Sequence, residues 1–110
     1  LARYPGASAV TDMLRARAWL TRVAIAGEQR DLAAAEDQGA IAQAAIDRVN
    51  APHLAATLAR LRGLIAYNRG RLPDARAFLL DARARLIALN IGRVAQGESP
   101  INLIPAPALT

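Results

Sequence analysis

The sequence predicts an all-α domain: two tandem antiparallel helix-turn-helix hairpins, giving four helices, followed by an extended C-terminal tail. Three observations predict it. Alanine supplies much of the 54% hydrophobic fraction and aromatic residues only 4%. Alanine is the best helix former and a poor core filler, so thin, close-packed helices are favoured over an aromatic-rich sheet, and Val and Thr are too sparse for a strand-dominated fold. Apolar residues recur at three- and four-residue spacing between Gly, Pro and Asn breaks. The second half also echoes the first at a fixed offset. A chain of 110 residues is enough for one domain.

Tyr4-Pro5-Gly6 reads as a turn, with Ser8 or Thr11 available to cap a helix from about Ala9 to Ala26. Leu14, Ala18, Val23 and Ala26, with Trp19 and Leu20 beside them, form its expected apolar stripe. Gly27 to Arg30 is a polar break, after which Asp31 is a good N-cap for a second helix. Leu32, Ala35, Ala42, Ala45, Ile46 and Val49 supply the apolar positions of that helix. Gly39 weakens it by about 1 kcal/mol relative to Ala, unless a close helix contact uses the missing side chain. Asn50-Ala51-Pro52 ends the first hairpin, residues 9–49, because proline cannot continue a helix but suits the first turn of the next.

The third helix is expected from Pro52 to Arg69, with Leu54, Leu58, Leu61, Ile65 and Ala66 at helical spacing. Gly70 stands where a left-handed C-terminal cap is wanted. Leu72-Pro73-Asp74 opens the fourth, whose stripe is Ala75, Leu79, Ala82, Leu86 and Leu89. Asp81 can pair with Arg85 one turn on, and Asn90 and Gly92 are expected to close the second hairpin, residues 52–91. The helical domain thus spans 1–97. Pro100, Pro105 and Pro107 make 98–110 a proline-rich extended or disordered tail. Its apolar stretch, 101–104, either docks on a helix face or an adjacent chain, or stays free.

At an offset of 40 residues, Leu32-Ala33-Ala34-Ala35 aligns with Leu72-Pro73-Asp74-Ala75. The same offset pairs Arg30 with Gly70, Ala26 with Ala66, Ala42 with Ala82 and Ile46 with Leu86. Two tandem helical hairpins are the economical explanation, and an ordinary four-helix bundle with a chance echo is the plainer alternative.

The stretch from Leu61 to Ala82, with Arg62-Gly63-Leu64 near its start and Gly70-Arg71-Leu72-Pro73-Asp74-Ala75 at its turn, resembles the tetratricopeptide repeats. The resemblance implies a right-handed α-solenoid. It puts Gly63 at the small residue where paired helices touch, Tyr67 near the first helix's aromatic site, and Ala75 and Ala82 at the small positions of the second helix. In the first unit, Trp19 falls at the tryptophan site and Ala35 and Ala42 at the alanines, while Val23 and Arg30 replace glycines. Helices 8–10 Å apart leave room for nothing larger. The 40-residue spacing and the Arg-Gly-Leu…Gly-Arg-Leu-Pro-Asp-Ala style are also similar to the helical repeats of large ATP-dependent LuxR-type bacterial transcriptional regulators. Neither an ATP-binding loop nor a DNA-binding helix pair is visible in this chain.

Composition removes several function classes. With no Cys, disulfides and thiolate metal sites are excluded, and one His leaves no His-based metal cluster. No Gly-rich phosphate loop or His-Glu-x-x-His occurs, and His53 has no evident acid partner. Glu36-Asp37 reads as solvated surface. No enzyme activity and no cofactor are expected. No apolar run approaches the ~20 residues of a membrane helix, and no signal-peptide layout opens the chain. The start at Leu1-Ala2-Arg3, without Met, reads as a piece of a larger cytoplasmic protein.

All 14 basic residues are Arg, a bias that a GC-rich coding sequence would produce together with the abundant Ala. Residues 1–50 balance six Arg against six acids, so the net charge of +5 belongs to the second half. The family resemblance implies a protein- or peptide-binding scaffold or regulatory module, whose ligand lies along the first helix of each hairpin. That groove would be lined by Arg17, Leu20 and Ala24 and by Arg60, Leu64, Tyr67 and Asn68. The plainer reading leaves Arg60 solvated and uses Tyr67 in packing between repeats. Nucleic acid is the second candidate partner, through a basic patch of Arg62, Arg69, Arg76 and Arg83. Further repeats of a longer chain, or a second copy, are candidates to cover the ends of the stack.

Overall fold

A computed structural model of the chain describes residues 5–101. Four α-helices follow in order: α1 Pro5–Glu28, α2 Leu32–Asp47, α3 Pro52–Asn68 and α4 Leu72–Ala95. The described residues contain no strand. Helix α1 packs on α2 and α3 on α4, while α3 also rests against both α1 and α2; α4 packs on α3 alone. The thinnest dimension of the molecule is 21 Å, about two helix diameters.

The first and third turns repeat the same backbone geometry. Gly70 is left-handed (φ 75°), and so is Arg30 (φ 61°), at the position 40 residues earlier. After each, the next amide reaches back five residues: Asp31 N–H to the Ala26 carbonyl at 3.0 Å, and Arg71 N–H to the Ala66 carbonyl at 2.9 Å. This is the six-to-one bond of a Schellman ending. Asp31 then caps α2, its Oδ1 accepting from the Ala34 amide at 3.3 Å. Arg71 has nearly the same φ and ψ as Asp31 but makes no side-chain cap.

Ala16, Val23, Ala26, Ala35, Ala42, Ala45, Ile46, Leu54, Leu58 and Ile65 form one buried cluster. It lies between the first hairpin and α3, and the buried residues of α4 are Ala75 and Ala82 alone among those described. Small side chains dominate, so the helices approach closely. Gly63 is the tightest of the described glycine sites: a Cβ there would lie 2.7 Å from Leu79 Cγ of α4. Gly39 uses its missing side chain differently, accommodating the Arg62 stem, with Cγ 3.4 Å from the position a Cβ would take.

Three expectations are corrected. The buried stripe of α1 is Ala16, Val23 and Ala26, whereas Leu14 is 62% exposed and Ala18 is also at the surface. Periodicity fixes the spacing of a stripe but not its phase; the closer fit of Ala16 against the neighbouring helices sets the phase. Pro5 and Gly6 belong to α1, since proline is tolerated in a helix's first turn. At the other end, α4 runs through Asn90 and Gly92 to Ala95, and the chain turns only at Gly97 (φ 81°). The Asn90 side chain holds the following segment: its Nδ2 donates to the Ile101 carbonyl at 2.8 Å, and the Ile101 amide donates to its Oδ1 at 2.7 Å. Arg93 adds a bond to the Ser99 carbonyl and an ion pair with Glu98 at 3.1 Å. The start of the tail therefore folds back onto α4. The remainder, 102–110, lies outside the described residues, as does Tyr4.

Candidate partner-binding surfaces

Arg60, Leu64, Tyr67 and Asn68 follow one another at helical spacing on α3, and Arg17 and Leu20 stand on α1, the helix beside it. Tyr67 is 62% exposed and Leu64 41%. Arg17, Arg60 and Asn68 are also exposed, Leu20 is half-buried against the core, and Ala24 is half-buried. Among the described residues, no hydrogen bond or ion pair engages the side chains of Arg17, Arg60, Tyr67 or Asn68; the Thr21 hydroxyl donates to the Arg17 carbonyl. A guanidinium, an amphipathic ring, an amide and an aliphatic side chain thus share one open helical face. Such a set can grip a peptide by backbone hydrogen bonds and apolar contact.

The four arginines of the sequence-derived basic patch fare differently. The Arg62 guanidinium lies over the Phe78 ring at 4.5 Å, its stem on Gly39. Arg69 pairs with Glu36 at 3.3 Å. Arg76 and Arg83 are exposed on α4 and make no ion pair among the described residues. Arg62 and Arg69 hold helices together, which leaves Arg76 and Arg83 open to solvent.

Glu36 is not the solvated acid that its sequence context implies. Its two carboxylate oxygens face Arg69 and Arg71, each at 3.3 Å, and its side chain is 24% exposed. It ties α2 to the turn between α3 and α4. Asp37 next to it is exposed, as expected. These groups rim an open groove of about 640 Å³ between α2 and α4, whose floor includes Ile65, Ala66 and Phe78. Sequence reasoning missed this groove because its walls come from helices that are far apart in the chain and that each pack on α3. The only legible signal was the placement of opposite charges at Glu36 and at the Gly70 turn.

Trp19 is half-buried at the edge of the core, with the Arg22 guanidinium 4.6 Å above its ring. His53 is exposed at the start of α3, and its carbonyl accepts from the Thr57 hydroxyl at 3.0 Å. Among the described residues, no three His, Asp or Glu side chains gather closely enough to hold a metal ion, and no helix is long and apolar enough to cross a membrane. No protein-family model, no curated protein and no solved structure matches this chain.

Proposed function

We propose that this chain is a protein- or peptide-binding scaffold, or regulatory interaction module, made of two tetratricopeptide-like hairpins in a right-handed stack. The observation that carries this reading is the face of α3 with Arg60, Leu64 and Tyr67, exposed and unpaired among the described residues. Leu64 and Tyr67 offer a partner apolar contact beside the unpaired Arg60 guanidinium, the mix of groups that interface anchors use. The stacked-repeat architecture is supported by the equivalent left-handed turns at Arg30 and Gly70 and by α3 resting on both helices of the first hairpin. Small residues at Ala35, Ala42, Ala75 and Ala82 support it too. An origin in a LuxR-type regulator is the narrower form of the same proposal.

The test is selection of peptide ligands from a displayed library against the 110-residue chain, followed by affinity measurement. Arg60→Ala and Tyr67→Ala should each weaken binding by about 1–3 kcal/mol, while Arg76→Ala leaves it unchanged. Ligands whose affinity ignores both α3 substitutions would sink the proposal. Nucleic acid binding through Arg62, Arg69, Arg76 and Arg83 is the weaker reading, because Arg62 and Arg69 already have partners inside the fold. Mobility shifts at low and moderate salt separate the two readings, since phosphate contacts lose affinity steeply as salt rises.

A further inference from the structure

Helix α4 is apolar on two sides, and the fold uses only one. Ala75 and Ala82 are buried, with Phe78, Leu86 and Leu89 half-buried beside them. On the roughly opposite side run Ala77, Leu80, Ala84, Ile87, Ile91 and Val94, separated alternately by three and four residues. All six are exposed: Leu80 55%, Ile87 50%, Ile91 67% and Val94 56% among the large ones. Alternate spacing of three and four is the seam of a coiled coil, in which each side chain inserts between four of a facing helix. A helix that already has a buried stripe gains nothing in folding from a second one, so the second stripe marks a contact with another helix.

Continuation of the stack does not supply that contact. Positions 40 residues earlier, on α2, are Asp37, Ala40, Ala44 and Asp47, and all four remain exposed although α3 packs on α2. A further hairpin docked on α4 as α3 docks on α2 would leave Ala77, Leu80, Ala84 and Ile87 bare, although the equivalents of Ile91 and Val94, Ala51 and Leu54, are covered.

The charges beside the seam identify the occupant. Arg76 and Arg83 border one side, one residue before Ala77 and Ala84; Asp74 and Asp81 border the other. When two such helices lie parallel, the first kind of flanking position meets the second kind of its partner, five residues further on. Arg76 of each copy then faces Asp81 of the other. An antiparallel pair would instead set Arg against Arg and Asp against Asp, which is repulsive. Arg76 has no ion pair among the described residues, and Asp81 engages Arg85 through Oδ2 alone, at 2.8 Å, leaving Oδ1 for a second donor. Ala77 and Ala84 in the seam allow the helices close approach.

We infer that α4 is a homodimerisation helix: two copies of this chain pack in parallel through Ala77, Leu80, Ala84, Ile87, Ile91 and Val94. Reciprocal Arg76–Asp81 pairs fix the direction and register. The seam residues all stand on α4, and none of them is among the α1 and α3 residues proposed to bind a peptide.

Sedimentation equilibrium on the 110-residue chain, from about 10 µM to about 1 mM, should reveal a reversible monomer–dimer equilibrium. Ile87→Glu should weaken it at least about tenfold with unchanged helicity, because Ile87 takes no part in the core. Arg76→Asp and Asp81→Arg should each weaken the dimer, and the two together should restore it. The chain has no cysteine, so Ala77→Cys and Ile91→Cys, made singly, report direction. In a parallel dimer each should form a disulfide-linked dimer under mild oxidation, whereas an antiparallel one separates both pairs. A chain that stays monomeric throughout, a dimer indifferent to Ile87→Glu, a double charge swap without recovery, or the failure of both cross-links would each overturn the inference.

Discussion

Arg30 holds φ 61°, a left-handed conformation that costs an L-residue roughly 1–2 kcal/mol because Cβ crowds the carbonyl. Gly70 meets the same demand without a Cβ. Arg30→Gly should therefore stabilise the chain by about 1 kcal/mol, after the greater unfolded-state entropy of glycine, and raise Tm by several degrees in a thermal scan. Gly70→Ala should cost a similar amount. Ala42 sits at the opposite extreme, fully buried where α2 meets its neighbours. Replacing it with Leu forces extra volume into a close-packed contact and should destabilise by about 1–3 kcal/mol, readable as a lower urea midpoint at unchanged slope. Arg71 illustrates a residue serving tertiary structure in place of local structure. It stands where Asp31 caps α2, yet it makes an ion pair with Glu36 and no cap.

Helix α4 outlasts its expected end, and Asn90 turns both amide groups to Ile101 instead of ending the helix. An asparagine near a glycine ordinarily reads as a stop; here Gly92 stays inside the helix and Gly97 takes the left-handed turn. Asn90→Ala should free the segment from Glu98 to Ile101 while leaving the helices intact. The expected observation is loss of amide-exchange protection at Ile101 with less than about 1 kcal/mol change in global stability. Retained protection would mean that Arg93, through Ser99 and Glu98, is enough to hold the segment.

Across the molecule, the core belongs mainly to the first hairpin and α3, with Leu58 and Val23 its largest fully buried side chains. Such a core depends on cross-links between elements, and Glu36 is one, joining α2 to Arg69 and Arg71. Because these pairs remain partly solvated, Glu36→Gln should cost no more than about 1 kcal/mol, and the difference should shrink at high salt. A Tm difference independent of salt would refute an electrostatic role. The same scale explains why two surfaces stay open. Leu64 and Tyr67 on α3, and Leu80, Ile87, Ile91 and Val94 on α4, lie outside that core and stay exposed.

The sequence by itself determined the four helices and the three breaks between them, but not the start of α1 or the end of α4. Helical periodicity, Pro52 and Pro73 at first turns, Asp31 as cap and Gly70 as a left-handed ending are local effects, decided within a few residues of each position. The offset of 40 residues was legible for the same reason, since Arg30 and Gly70 answer one local geometry with different side chains. Tertiary structure alone decided the rest. It set the phase of α1's buried stripe, turning Leu14 outward and Ala16 inward. It also took Arg62, Arg69 and Glu36 from the expected surface into contacts between helices. Periodicity specifies spacing along one helix, whereas burial and pairing depend on which neighbour arrives and from which side. That information is distributed over residues far apart in the chain.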